Sequence, residues 1–492
     1  MRWKIKVLLV ILLLSILSWK LFGGKQQQMA NSNEVELTVA FPVHGAVSSE
    51  WEDIQRRVNQ IVRSKLQVSV HFLPVNEGSW EQRIKLMLTG GEALDLVVVR
   101  HPSYYTHVAE KRLLPLQGLL DKYGKDIRKQ LSAEQRDAGK VWNAIYAVPV
   151  VRETAVQYGI LLREDLVNKY KVDVSSVQSL EDVEAVLKRI HELEPEIVPL
   201  VPKKAGSSIL EEFAPYDPLG DGFAILPDYD NDGKVVNAFA TEQYEQQIRL
   251  IREWYVSGLV HQESATNNDS AYELIRSGEA FAYLSVLHPG IEAQESRAAG
   301  RAMLAIPLTE AYSTTSSTGA VMWGIPLSSR HTDKAMQLLN LLYADSDIVN
   351  LLTWGIEGQH YSIQSDSAID IPIGEQQSQW MPVMITGRIF GNPQLAYSLE
   401  DEPSNLWERL HTFGITAKRS YAYGFNFYAK PVQTEIAAVE GIAKQYRLGL
   451  ESGVLDPEIY LEEMLDQLQQ AGIERLVNEK QNQLDEWSTL QR

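Results

Sequence analysis

The sequence of 492 residues contains no cysteine. That absence excludes disulfides, thiolate-ligated metals, cysteine nucleophiles and a lipid attached through a cysteine. The short motifs of catalysis and cofactor binding are missing too. There is no His-Glu-x-x-His pair, Gly-x-Ser-x-Gly elbow, phosphate-binding loop or dinucleotide fingerprint, so no cofactor and no metal is expected. Ten histidines are scattered, and no pair of them is joined by helix spacing to a carboxylate. Basic residues are in short supply: 46 Lys and Arg stand against 64 Asp and Glu, a net charge of −18. Such a chain lacks the basic footprint that phosphate backbones need, which argues against nucleic acid as a main partner. Carboxylates are too many to single out a pair for glycoside hydrolysis, so spacing alone leaves a glycan hydrolase open.

What is present starts at the N-terminus. Arg2, Lys4 and Lys6 precede an apolar run, Val7 to Ser18, and Gly23, Gly24 and a polar stretch follow. A basic region, an apolar run of this length and small residues after it match a secretory signal. With Leu21 and Phe22 the run could extend toward a membrane span. Residues 1–33 are therefore expected to be a signal peptide or signal-anchor plus linker, with membrane association through 1–24 if uncleaved. Either way the positive-inside rule puts the body outside the cytoplasm, secreted or on the outer face of the membrane.

From Val35 the pattern becomes that of a folded domain, with 45% apolar and 22% charged residues. Glu34–Phe41 alternates as a strand ending at Pro42, and Ser48–Leu66 carries Trp51, Ile54, Val58, Ile61 and Val62 at helical spacing. Val68–Leu73 reads as a strand and Ser79–Leu88 as a helix stopped by Gly90-Gly91. Ala93–Val99 is a near-continuous apolar run, as in a strand buried on both faces. The β-α-β-α-β start predicts a parallel α/β layer. Further strands are expected at Ala144–Val151, Gln157–Leu162, Ala280–Val286 and Gly319–Pro326, and helices at Ser179–Glu192, Glu242–Val256 and Thr332–Tyr343. The tail from about Pro431 to Trp487 reads as helical. Asp228-Tyr-Asp230-Asn-Asp232-Gly233 opens like a calcium loop, but its twelfth position is Phe239 where a bidentate Glu is needed. It reads better as a hairpin turn.

The aromatics are the positive signal, with 11 Trp and 21 Tyr. Trp80, Tyr104, Tyr105, Trp142, Tyr146, Trp323, Trp354 and Tyr361 fall at loops or strand ends. Flat rings with a polar tip stack on the C–H faces of sugars, although for any single ring core packing is the better explanation.

The order of segments resembles the substrate-binding proteins of bacterial ABC sugar importers. It is most similar to long lipoprotein-type members common in Paenibacillus-like Gram-positive bacteria. The residues that carry this are MLTGGEALDLVVV (87–99), LLPLQGLLDKYG (113–124), VWNAIYAVPVVRET (141–154) and YGILLREDLVNKYKVD (158–173). They continue through SLEDVEAVLKRIHE (179–192), LIRSGEAFAYL (274–284), TGAVMWGIPLSSRHTDKAMQLLNLLY (318–343), WGIEGQHY (354–361) and AGIERLVNEKQNQLDEW (471–487). The resemblance covers nearly all of 35–487. It departs from close relatives in lacking the lipidated cysteine.

The resemblance implies an α/β, two-lobed periplasmic-binding-protein-like fold (type II) with an interlobe cleft and extra C-terminal helices. Residues 34–148 and 306–350 would form the first lobe, and 149–305 and 351–492 the second. Crossings are expected at Ala147–Arg152, around Ile306–Tyr312, and once more after 332–343. It also implies a non-enzymatic extracellular receptor, working as a monomer, that hands an oligosaccharide or other small solute to ABC permease subunits. A sensory subunit for a membrane kinase is the other binding role. Open α/β sheets bind ligands beyond the C-terminal ends of strands. The expected cleft residues are therefore Phe41, Pro42 and His44; Arg100, His101 and Tyr104; Arg152 and Glu153; His288; and Trp354 and Glu357. Phe41, Tyr104 and Trp354 are expected to stack, and Arg100, Arg152, Glu153 and Glu357 to bond hydroxyls. His288 stands where family members often carry Trp.

Overall fold

The computed structural model describes residues 34–43, 50–365, 368–371 and 388–491. The N-terminal signal and His44 lie outside them. Two sheets organise the chain. The first has the order Val68–Asn76, Val35–Val43, Leu96–Val99, Met322–Gly324, Ala147–Pro149. Its first three strands are parallel; Met322–Gly324 runs antiparallel to them, and Ala147–Pro149, antiparallel to Met322–Gly324, shares the direction of the first three. The second sheet has the order Met303–Pro307, Gln157–Arg163, Ala280–Leu287, Val198–Leu200. The expected β-α-β-α-β start is present, with helices at Glu50–Leu66 and Trp80–Gly90. Leu96–Val99 is buried throughout, as its unbroken apolar sequence requires. The first strand runs on through Pro42 to Val43. Leu96–Val99 flanks it only at Val39 and Ala40, so on that side no ladder bond is lost at the proline.

Asp228–Gly233 closes a hairpin between Ala224–Pro227 and Val236–Asn237. Asp228, Tyr229, Asn231, Asp232 and Gly233 all take positive φ there. Among the described residues no cluster of three His, Cys, Asp or Glu could hold a metal ion. No described helix is long and apolar enough to cross a membrane.

The two cores divide the chain differently from the sequence expectation. Buried side chains of 37–151 and 322–399 form one apolar cluster. Those of 160–308 and 422–484 dominate the other. Residues 351–399, expected in the second lobe, thus bury Trp354, Ile356, Tyr361, Ile369, Phe390 and Leu399 in the first. The physical reason is aromatic packing. The Phe390 ring lies 5.0 Å from Phe41 and 5.5 Å from Trp323. Polar ring tips then find backbone acceptors: Trp323 Nε1 donates to Ile389 O at 2.6 Å, and Tyr343 OH to Pro149 O at 2.6 Å.

The tail forms helices Gln433–Glu451, Pro457–Gln470 and Ile473–Gln491, which complete the second core. In the first, Val439, Ala443, Tyr446 and Leu450 recur at helical spacing and are all buried. In the last, the buried stripe is Ile473, Leu476, Lys480 and Leu484, so a lysine occupies a core position. Lys480 Nζ donates to Asp221 Oδ1 at 2.7 Å and to Ala224 O at 2.9 Å, and lies 5.0 Å from the Phe427 ring centre. Burial pushes its pKa down, against the opposing pull of Asp221.

Removing one member of a buried pair leaves the other charge uncompensated, at a cost of about 3–5 kcal/mol. Lys480→Ala is therefore expected to lower the urea midpoint of the second lobe steeply. Lys480→Met combined with Asp221→Asn should recover most of the loss, because both charges then disappear.

Candidate functional site

The chain passes between the sheets three times. The first crossing is 150–156, between strands Ala147–Pro149 and Gln157–Arg163. The second is 308–321, and the third runs from about 400 to 421. They lie side by side. Val156 and Tyr312 exchange backbone bonds of 2.8 and 2.9 Å. Tyr312–Ser313 then pairs in parallel with Lys418–Arg419. Ser317 Oγ donates to Thr154 O at 2.9 Å, tying the first crossing to the second.

Against these crossings lies a cleft of about 430 Å³. Pro42 and Arg100 reach it from the ends of their strands, and Val151, Arg152 and Glu153 from the first crossing. His288, Pro289, Gly290 and Gln294 come from the second lobe. Its remaining wall is built from Thr353, Trp354, Arg388, Tyr397 and Glu402, and from Leu406, Trp407 and Leu410 of the helix Leu406–Thr416. The site is polar at its rim and aromatic at its floor.

Its charges come in pairs. Arg100 donates to Glu77 at 2.6 Å and to Glu81 at 3.0 Å. Arg152 Nε donates to Glu153 at 3.1 Å. Arg388 and Arg297 both donate to Glu402, at 2.9 and 3.3 Å. Burial pushes the Glu153 carboxyl up, but the charges of Arg152 and then His288 outweigh it and hold the group below its ordinary 4.5.

Of the sequence candidates, Pro42, Arg100, Arg152, Glu153, His288 and Trp354 come together here. Trp354 is nearly buried and donates Nε1 to Tyr397 O at 2.9 Å, so it forms floor, not an open platform. Four others are placed elsewhere. Phe41 is fully buried among Trp51, Phe72 and Phe390, because it faces the helix side of the sheet. Tyr104 is fully buried with its hydroxyl on Gly139 O at 2.6 Å. His101 is enclosed beside Asp217 and Thr315 in a separate small cavity, where burial lowers its pKa to about 4. Glu357 is exposed on a turn outside the cleft.

Sequence reasoning missed Glu77, Gln294, Arg388, Tyr397, Glu402 and Trp407. Trp407 lines the cleft from the helix Leu406–Thr416. Its helix packs on the loop after Ala280–Leu287, where a Cβ on Gly290 would meet Leu406 Cδ1 at 2.6 Å. Gly290 also takes φ 87°, so both space and backbone angle require glycine.

A two-lobed α/β chain with its cleft at the crossings is the architecture of a hinged receptor. Residues 64–347, more than half the chain, match the family described as bacterial extracellular solute-binding protein, and the chain belongs to that family. Residues 421–489 match a second family, DUF3502, a domain of unknown function. The chain is 25% identical over 474 residues to a carbohydrate ABC transporter substrate-binding protein of Streptococcus pneumoniae serotype 4 (strain ATCC BAA-334 / TIGR4), covering 94% of this chain and 93% of that one. The crystal structure of the N-glycan transport solute binding protein NgtS from Streptococcus pneumoniae superposes with a TM-score of 0.80 at 22% identity, covering 93% and 100%. Alginate-binding protein AlgQ2 without calcium ion gives 0.62 at 14%, covering 92% and 99%.

A carboxyl whose folded pKa is lowered stabilises the fold above its unfolded pKa, and that contribution is lost as pH falls through the folded value. Arg152→Ala is expected to raise the Glu153 pKa, read by carbon NMR titration. The variant's stability deficit against the parent should be largest at neutral pH and shrink as pH falls through the parent's Glu153 pKa.

Proposed function

We propose that this chain is the extracellular substrate-binding component of an ABC importer and captures an oligosaccharide in the interlobe cleft. The carrying observation is the cleft itself: paired Arg and Glu groups beside Trp354, Tyr397 and Trp407 at the crossings of two lobes. Sugar hydroxyls both donate and accept, so a fixed Arg–Glu pair offers each hydroxyl a complementary partner. Indole and phenol faces take the apolar C–H surface of the ring. NgtS has been crystallised in complex with Man1GlcNAc and with Man5GlcNAc. That supports an oligosaccharide of comparable kind for this chain.

The ligand roles fall to Arg100, Arg152, Glu153, His288 and Gln294 as hydrogen-bonding groups and to Trp407 and Tyr397 as stacking faces. Residues 34–151 and 322–399 act as one lobe, 157–308 and 422–491 as the other. Closure over the ligand is the state that a permease distinguishes. The reading is non-enzymatic. A general acid for glycoside hydrolysis needs a raised carboxyl pKa. Glu153 is shifted the other way, and Glu77 and Glu402 are held by arginines. Export and any anchoring rest on residues 1–24, and the receptor works as a monomer.

Calorimetric titration with neutral mannose- and N-acetylglucosamine-containing oligosaccharides tests this. At least one is expected to bind and be recovered intact. Trp407→Ala should weaken that binding at least tenfold, about 1.4 kcal/mol. Recovery of cleaved sugar, or no binding by any of them, overturns the reading.

A further inference from the structure

A second and larger groove, about 860 Å³, lies behind the crossings and shares no lining residue with the cleft. Tyr105 and Trp142 of the first lobe form one wall, and Tyr428 and Trp487 of the tail another. Thr315 and Thr318 of the second crossing form its base. Trp142 is the informative residue. It sits with Asn143 in the two-residue turn joining Lys140–Val141 to Ala144–Ile145, and both take positive φ, 48° and 71°. Such turns favour Asn, Asp or Gly. Asn143 fits that preference and Trp142 does not. Its indole is nonetheless 63% exposed, so burial does not compensate for the disfavoured backbone angle. Tyr105 lies 5.4 Å from the Trp142 ring and 5.8 Å from Tyr428, which continues the aromatic face across to the tail. A strained residue that holds a large flat side chain in solvent points to function.

The charged lining comprises Asp137, Lys140, Arg419, Glu479 and Glu486, with an excess of one negative charge, which disfavours polyanions. Flat rings and a slightly acidic rim match an uncharged polyol ring system. We propose that this groove is a second carbohydrate site, which takes a neutral oligosaccharide stacked on Trp142, Tyr428 and Trp487. Its occupant touches both lobes, so its binding depends on the angle between them.

The test uses the full chain, isotope-labelled at the tryptophan indoles, titrated with millimolar maltopentaose, mannopentaose and chitopentaose. The Trp142 and Trp487 signals are expected to shift with at least one sugar, and to keep shifting in a Trp407→Ala variant. Trp142→Gly suits the positive φ and removes an exposed ring, so it folds. It should weaken the Trp487 response at least tenfold and leave cleft affinity within twofold. Trp142 and Trp487 signals unmoved by all three sugars, or moving only when the cleft is intact, overturn the second site. Failure of the Trp407 signal alone would count against the cleft reading and not against this one.

Discussion

The carbonyl of Thr154 is where the two halves of this molecule are fastened. Ser317 donates to it, and two residues further on Val156 exchanges backbone bonds with Tyr312. Tyr312–Ser313 in turn pairs with Lys418–Arg419. Buried backbone must find partners, and chain that leaves one sheet for another has lost its ladder. Laying three crossings together supplies a short ladder of their own. It also fixes where the cleft is, since Arg152 and Glu153 precede Thr154 and are carried by the same segment. Arg152 and Glu153 of the cleft therefore sit on a segment that joins the two sheets.

Much of this layout was legible in the sequence. Period-2 and period-3.6 patterns located most of the strands and helices, and Glu242–Val256 has the predicted bounds. Strand ends marked Pro42 and Arg100, and the VPVVRET stretch marked Arg152 and Glu153. The failures have one physical origin. Loop position says that a side chain is near a strand end, but not which face it takes. Phe41 and Tyr104 turn inward, where large apolar area gains most from burial. Trp407 and Tyr397 belong to a segment whose place depends on the third crossing, and no local pattern announces that. The same ignorance assigned 351–399 to the wrong core: only the ring contacts of Phe390 reveal its attachment.

Charge is used differently in the two regions that matter. In the cleft, Arg100 with Glu77 and Arg152 with Glu153 are paired but still partly exposed. In the second core the Lys480–Asp221 pair is closed off, with Lys480 fully buried. That pair, and the Ser208 hydroxyl donating to the buried Glu451, hold the tail against the lobe. Like pairs thus stay in reach of water in the cleft and set the register of the tail where water is excluded.

The tail has a consequence for how such a chain comes into being. Leu476, Lys480 and Leu484 are among the last residues of the chain, yet they fill the centre of the second core. The strands they cover begin at residue 157. The first lobe likewise draws on Trp323 and Phe390, far along the chain from its opening strand. Neither core can be completed from a contiguous stretch of sequence, so neither half can finish packing ahead of the other.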